Sequence, residues 1–138
     1  MEEEFKDWHR THVAIRFADI DKLGHVNNAK YLTYLESARI SYFLDVMGEE
    51  VNWTKNGIIL ARAEINFALP VALEDIEVSV FTSCSKIGEK SFELSYIITK
   101  SDLTSICAKG STTLVCYDYT EGKTITVPED WRTRFEQN

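Results

Sequence analysis

The stretch FADIDKLGHVNNAKYLTYLESARISYF, Phe17 to Phe43, decides the fold because the periodicity of the chain changes within it. Residues 12–19 alternate between two faces, which is typical of a β-strand. From Asn28 to Met47, apolar residues recur at three- and four-residue spacings, which predicts a helix about 30 Å long. The segment between these patterns is rich in Asp, Gly and Asn, which turn chains and cap helices.

Particular residues mark the limits and the faces of these two elements. Asn27 or Asn28 can cap the start of the helix, and Gly48 can end it. Along the strand, Val13, Ile15 and Phe17 share one face. The helix carries an apolar stripe, for which core packing is the expected role. Its members are Tyr31, Tyr34, Leu35, Ala38 and Tyr42.

Four strand-like runs follow the helix, and the connections between them are short. They cover residues 59–67, 76–82, 92–98 and 106–115, and a shorter extended piece, 123–127, leads to Pro128 and a small helical tail. Long strands with short joints become antiparallel neighbours. The sequence therefore predicts an α+β fold in which a five-stranded antiparallel sheet wraps around one long helix. We expect residues 1–138 to form a single domain.

Charge and composition exclude several classes of protein. The net charge is −7, from 22 acidic and 15 basic residues, and no basic run reverses it locally, so nucleic-acid binding is not expected. The same charge counts mildly against polyanions such as coenzyme A, although a few clustered bases would overcome it. No apolar run of about 20 residues is present to span a bilayer. The acidic N-terminus does not resemble a signal peptide.

The cysteines indicate a reducing compartment. Cys84, Cys107 and Cys116 are odd in number, lack CxxC spacing and fall in strand-like segments. Free cysteines in such positions behave as small apolar residues. We therefore expect a cytoplasmic protein without disulfides.

Two carboxylates, Asp19 and Asp21, fall in the turn before the helix. The first amides of a helix lack intrahelical partners and favour negative charge, so they could polarise a thioester carbonyl. A carboxylate beside that carbonyl can act as nucleophile or as general base for water. Either Asp could instead be a helix cap, and Asp19 could also pair with Arg16 or Arg39.

This segment resembles the N-terminal signature of the 4-hydroxybenzoyl-CoA thioesterase family, whose members have the hotdog fold. The resembling features are Asp19-Ile20-Asp21, Gly24-His25-Val26-Asn27-Asn28, Tyr31, Tyr34-Leu35-Glu36 and Ala38-Arg39. The resemblance implies that Asp21 is the catalytic carboxylate and that a backbone amide near Asn28 polarises the carbonyl. It also implies acyl-CoA or acyl carrier protein thioester hydrolysis, without metal or organic cofactor, by homodimers or homotetramers.

Other site residues are less sharply defined, and each has a structural alternative. His25 could assist Asp21, stiffen the turn or contact a partner subunit. Asn27, Tyr31 and Tyr34 could border the acyl group. Coenzyme A phosphates could bind a set of bases that would otherwise be solvated charges. These bases are Arg62, Lys86, Lys90 and Lys109.

The sequence leaves three functional hypotheses open. The first is hydrolysis of an acyl-CoA, for which we prefer a medium- or long-chain fatty acyl group, or of an acyl carrier protein thioester. The second is a hotdog that binds acyl thioesters without cleaving them, and the third is an interaction module. An open sheet edge would favour pairing with a second copy of the chain in all of these cases.

Overall fold

The computed structural model describes residues 2–137, which form an antiparallel sheet wrapped around a long helix. In chain order the elements are β1 (His9–Ala14), α1 (Asn28–Met47), β2 (Gly57–Phe67), β3 (Glu77–Ile87), β4 (Ser91–Thr99), β5 (Ile106–Asp118), β6 (Lys123–Thr124) and α2 (Glu129–Gln137). The main strands lie in the order β1-β3-β4-β5-β2, and the two-residue β6 pairs with β5. The predicted hotdog arrangement is confirmed.

Helix α1 begins and ends at the predicted residues because local chemistry fixes both ends. The Asn27 side chain accepts a hydrogen bond from the amide of Ala29 at 2.9 Å. At the other end, Gly48 has a φ of +85°, a conformation that costs glycine little. Its amide donates to the carbonyl of Leu44 at 3.1 Å. Both caps satisfy backbone groups that a helix end would otherwise leave unpaired.

The apolar stripe of α1 forms the core, as predicted. Tyr34, Leu35 and Ala38 are buried against inward-facing side chains of the sheet, among them Leu94 and Leu114. Burial of one large apolar side chain contributes roughly 1.5–3 kcal/mol, so this helix–sheet contact is a main source of stability.

The first strand lies earlier in the chain than predicted. It covers His9–Ala14, whereas Phe17–Asp19 form a 3-10 turn. The Asp19 carboxylate accepts the Arg16 amide at 3.0 Å, which closes that turn. The predicted continuation of the strand through Phe17 is therefore wrong, and this side chain is 81% exposed.

Strand β2 is an open edge of the sheet. It pairs only with β5 among the described strands, and the register shifts between Leu60 and Arg62. Apolar side chains are exposed along it, including Ile59, Leu60 and Phe67. A long edge strand with exposed apolar residues is a ready template for pairing with another chain.

The C-terminal end of α1 is closed by aromatic packing. Phe43 lies 5.8 Å from Phe92 and 6.0 Å from Trp131, measured between ring centroids. Helix α2, which carries Trp131, is also tied to α1 by a hydrogen bond from Arg134 to the carbonyl of Val46 at 3.1 Å. No helix in the described part of the chain is long and apolar enough to cross a membrane.

Candidate active site

The segment between β1 and α1 folds into a tight turn that presents Asp21. Ile20 and Val26 form an antiparallel bridge across its base. The Asp21 amide donates to the carbonyl of His25, and the Gly24 amide donates back to the carbonyl of Asp21, both at 3.0 Å. Gly24 has a φ of +83°, which residues with a Cβ rarely adopt.

This turn is held against the connection between β2 and β3. The Val26 amide donates to the carbonyl of Val71 at 2.7 Å, and His25 bridges to Ala72. The residues just before Val71 then form the facing wall of a cavity of about 380 Å³. Its lining consists of Asp21, Leu23, His25, Val26, Asn27, Asn28, Tyr31, Phe67, Ala68, Leu69 and Pro70.

Asp21 lies in this cavity with one carboxylate oxygen anchored. Its Oδ1 accepts the amide of Leu23 at 2.9 Å, which fixes the orientation of the side chain. Its Oδ2 has no hydrogen-bond partner among the described residues. The residue is half-buried, so the free oxygen can meet both a bound molecule and water.

The amide of Asn28 is the free donor at the start of α1. The amides of Ala29 and Lys30 donate to the side-chain and backbone oxygens of Asn27, each at 2.9 Å. Those of Val26 and Asn27 donate to other parts of the chain. Within residues 26–30, only Asn28 keeps an unpaired N–H, and this residue lines the cavity. The positive end of the helix dipole favours negative charge here.

Asp19 has a different environment from Asp21, although both belong to the same turn. It is fully buried and accepts hydrogen bonds from the Arg16 amide and guanidinium at 3.0 Å and from the Tyr34 hydroxyl at 2.8 Å. Its backbone carbonyl accepts the amide of Asn27 at 2.9 Å, which ties it to the helix cap. Of the alternatives that the sequence left open for Asp19, the structure forms the ion pair with Arg16.

Hydrogen bonding determines the charge state of this buried carboxylate. Burial by itself would raise the pKa of Asp19, but the donors from Arg16 and Tyr34 outweigh it and lower the pKa below its ordinary value. Burial, and then the bond to Asp19, raise the pKa of Tyr34. Asp19 therefore remains ionised and Tyr34 protonated at neutral pH.

His25 contributes to the turn mainly through its backbone. Its side chain is exposed, and no hydrogen bond joins it to the Asp21 carboxylate among the described residues. Its carbonyl and its bridge to Ala72 stiffen the turn. The geometry thus supports the turn-stiffening alternative and does not form a His25–Asp21 dyad.

The two tyrosines predicted to border the acyl group are placed differently. Tyr31 lines the cavity, with its ring 5.0 Å from that of Phe67 in an edge-on arrangement. Tyr34 lies behind the cavity, buried, with its hydroxyl on Asp19. Asn27 both lines the cavity and caps the helix.

None of the four predicted phosphate-binding residues lines the cavity around Asp21. Arg62 lies on exposed β2 and donates to Ser111 at 3.1 Å and to Glu64 at 2.9 Å. Lys86 and Lys90 flank the β3–β4 hairpin, at the end of the sheet where α1 finishes. That end is roughly 30 Å from the turn, given the rise of a strand and the 11 residues of β3.

Sequence reasoning missed the cavity wall, residues 67–70, and the bond between Tyr34 and Asp19. Pro70 could have indicated this wall, because a proline after a strand marks a connection that cannot continue the ladder. Nothing local in the sequence indicates the contact between Tyr34 and Asp19, because it depends on how α1 sits over the turn.

Within the described residues, no group of three or more His, Cys, Asp or Glu side chains is placed to hold a metal ion. The three cysteines are unpaired, and burial raises the pKa of each thiol to about 11. None of the three cysteines lines the cavity around Asp21, so they add no nucleophile to it.

Comparisons with known proteins agree on one family. Residues 15–135 match the model of the Thioesterase-like superfamily. The long-chain acyl-CoA thioesterase FadM of Escherichia coli K12 is 28% identical over 131 residues, covering 93% of this chain and 97% of FadM.

Solved structures of similar proteins also match this chain. A thioesterase from Thermus thermophilus, crystallised with coenzyme A and Zn, is 35% identical, with a TM-score of 0.80 and coverage of 93% of this chain and 91% of that one. The PA5185 protein of Pseudomonas aeruginosa PAO1 has a TM-score of 0.85 over 96% of this chain and 92% of its own. At 18% identity, it supports the fold alone.

Proposed function

Because the chain belongs to the Thioesterase-like superfamily, we propose that it hydrolyses acyl-CoA thioesters with Asp21 as the reactive carboxylate. One observation carries this proposal: the free Oδ2 of Asp21 and the unpaired amide of Asn28 belong to the same cavity. The Asp21 carboxylate can activate water or act as the nucleophile itself, and the Asn28 amide can stabilise the oxyanion that forms on attack.

The geometry supports two forms of the reaction. As a general base, Asp21 accepts a proton from water while the hydroxide attacks the carbonyl carbon. The tetrahedral oxyanion is stabilised by the Asn28 N–H, and its collapse breaks the carbon–sulfur bond and releases coenzyme A with the proton. As a nucleophile, the Asp21 carboxylate attacks the carbonyl carbon and expels coenzyme A as the thiolate, and water then hydrolyses the resulting anhydride, which releases the acid and regenerates Asp21.

The Asp21→Asn variant tests the proposal. Loss of the carboxylate should lower kcat by about 10²–10⁴-fold, the usual contribution of a general base, with little change in circular dichroism or melting temperature. Asp130→Asn, an exposed acid-to-amide change in α2, is the matched control. Unchanged hydrolysis by Asp21→Asn would refute the assignment.

A single turnover in ¹⁸O-labelled water, followed by mass spectrometry of the protein, separates the two mechanisms. If Asp21 is the nucleophile, water attack on the anhydride at the aspartyl carbon leaves label in the enzyme. Label found only in the product acid is expected from the general base and also from an anhydride that water attacks at its acyl carbon, so capture of Asp21 as a hydroxamate by added hydroxylamine is the deciding readout for the nucleophile.

A groove between α1 and β2 supports a fatty acyl substrate. The exposed side chains of Leu32 and Leu60 line a small cavity between α1 and β2. That cavity shares Glu36 and Arg39 with a further cavity of about 510 Å³, whose wall also includes Ile40, Leu44 and Trp53. An aliphatic chain would cover this surface, in keeping with the long-chain acyl-CoA activity named for the FadM relative. Hydrolysis rates across acyl-CoAs of increasing length test this preference.

We also propose a homodimer formed by pairing of β2 with β2 of a second copy, with a tetramer as a further step. Pairing would give the backbone N–H and C=O groups of the β2 edge hydrogen-bond partners. It would also cover the groove, which would become a slot between the subunits. Because two copies of one edge strand pair antiparallel, the end of the sheet that carries Lys86 and Lys90 in one copy would lie on the same side as the Asp21 turn of the second copy.

Leu60→Lys tests this interface, because a charge on the exposed edge opposes pairing. Light scattering should show a monomer for the variant and a dimer or larger assembly for the wild type. Thr124→Lys, on the exposed β6, controls for added charge. A wild-type monomer at micromolar concentration would contradict the shared slot.

The three unpaired cysteines fit our placement of the enzyme in the cytoplasm, where thiols stay reduced.

A further inference from the structure

Arg39 is a buried cation on α1 that has no ion-pair partner in the described part of the chain. Only 9% of the residue is exposed, although arginine is almost never buried unless it is paired. Its Nη1 lies 3.5 Å from the hydroxyl of Tyr96, which is long for a hydrogen bond. No carboxylate within residues 2–137 forms an ion pair with it. Because an unpaired buried charge is costly, this guanidinium calls for a partner.

The unpaired part of this guanidinium faces open space. Arg39 lines both the small cavity beside Leu60 and the larger cavity beside Trp53. Its Nε and Nη2 form no hydrogen bond with the described residues, and neither nitrogen is among the polar atoms that are both enclosed and unpaired. A molecule in the groove between α1 and β2 can therefore reach both nitrogens.

Glu36 offers the opposite chemistry at the same place. It precedes Arg39 by one turn of α1, is exposed and lines the same two cavities. Side chains at this spacing can pair along a helix, yet these two are not among the ion pairs of the described residues. The groove therefore presents a carboxylate, which only accepts hydrogen bonds, beside a guanidinium, which only donates them.

These two charges determine which chemical group fits between the cavities. Most of the surrounding wall is apolar and consists of Ile40, Phe43, Leu44, Trp53 and Ile58. An alkyl chain would lie on this wall but would displace water from Arg39 without replacing its hydrogen bonds. A carboxylate would pair with Arg39 but would also meet the like charges of Glu36 and Glu49. A hydroxyl group is neutral, and it can accept a hydrogen bond from Arg39 while it donates one to Glu36.

We propose that the groove between α1 and β2 binds the distal part of a hydroxylated fatty acyl chain, with the hydroxyl held between Arg39 and Glu36. At about 1.5 Å per residue, Arg39 lies roughly 16 Å along α1 from Asn28. The hydroxyl would therefore lie far from the thioester, in the distal half of a medium- or long-chain acyl group. This inference rests on the proposed function, because it takes the reacting carbonyl to lie beside Asp21 and Asn28.

Thioethers of coenzyme A test the proposal, because they can bind without being hydrolysed. S-dodecyl-CoA is compared with derivatives that carry one hydroxyl at successive carbons in the distal half of the chain. Each is titrated into the wild-type protein in a calorimeter. At least one hydroxylated derivative should bind about ten-fold more tightly than S-dodecyl-CoA, the effect of hydrogen bonds to charged groups.

The possible outcomes separate this inference from the proposed function. If no thioether binds, acyl-CoA binding fails, and the hydroxyl site fails with it. If the thioethers bind with equal affinity, or if S-dodecyl-CoA binds best, the acyl-CoA function stands and the hydroxyl site alone is overturned.

Two variants locate the hydroxyl site. Arg39→Met replaces a buried charge with an apolar side chain, a change that proteins often tolerate, and it should abolish the preference for the hydroxylated thioether. Arg10→Met makes the same change on β1, outside the groove, and should keep the preference. Glu36→Met alters an exposed position, so it tests the site without disturbing the core, and it should reduce the preference. An unchanged preference in either groove variant would overturn the proposal.

Discussion

Asp19 and Asp21 belong to the same turn, yet their surroundings differ in almost every respect. Asp19 is fully buried and accepts three hydrogen bonds, whereas Asp21 is half-buried and anchored through one oxygen. A carboxylate with all its bonding capacity used can hold a structure in place but has little left for chemistry. The difference suggests that Asp19 orients the turn and that Asp21 is left available to react.

Replacement of Asp19 should produce the largest loss of stability in this region. Asp19→Asn weakens three hydrogen bonds to a buried charge, and we expect a fall of about 2–3 kcal/mol in the free energy of unfolding. Urea denaturation measures it. Asp21→Asn should change stability by less than about 0.5 kcal/mol, and equal losses in the two variants would remove the distinction.

Acid should lower the stability of the fold through protonation of Asp19. Because the pKa of Asp19 is lowered in the folded protein, its ionised form stabilises the fold above the unfolded pKa of about 3.9. That contribution disappears as the pH falls through the lower, folded value. Denaturation midpoints at a series of pH values below 5 should therefore fall more steeply for the wild type than for Asp19→Asn.

Loss of the Tyr34 hydroxyl should have an intermediate effect. Tyr34→Phe removes one donor to the buried carboxylate, at a cost of about 1.5 kcal/mol. Tyr42→Phe is the matched control, because the Tyr42 hydroxyl has no hydrogen-bond partner among the described residues. In thermal unfolding, Tyr34→Phe should have a clearly lower melting temperature than Tyr42→Phe.

Substitution of Gly24, which shares the turn with Asp21, should have the smallest effect on stability. A Cβ there meets nothing within 4 Å, so Gly24→Ala is opposed only by the φ of +83° and should cost about 1 kcal/mol. Gly24→Asn should cost less, since asparagine tolerates this conformation. Steady-state kinetics should show a lower kcat for the alanine variant if the turn positions Asp21.

Features set by neighbouring residues could be predicted from the sequence. The bounds of α1 follow from Asn27 and Gly48, and the core stripe follows from helical spacing. The resemblance to hotdog thioesterases, and with it the prediction of a thioester hydrolase, is confirmed by the family match. Asp21 and the amide near Asn28 remain predictions that the cavity geometry supports.

Features set by distant contacts could not be predicted. The Asp19 carboxylate closes a 3-10 turn over Phe17–Asp19, and this contact overrides the alternation that predicted a continuous strand through Phe17. Helical spacing correctly placed Tyr34 in the core stripe, but the alternative that it borders the acyl group came from the family resemblance, and the packing of α1 turns its hydroxyl to Asp19 instead. Lys86 and Lys90 could not be placed relative to Asp21, because β3 carries them to the far end of the sheet.

The hydrogen bond from Val26 to Val71 has a consequence for the order in which this protein matures. The signature segment leaves the ribosome long before the residues that brace it, so the motif exists for a time without its opposing wall. Activity should thus arise only after the connection beyond β2 has been synthesised and has docked. A truncated chain ending at α1 would contain every residue of the signature and still be inert.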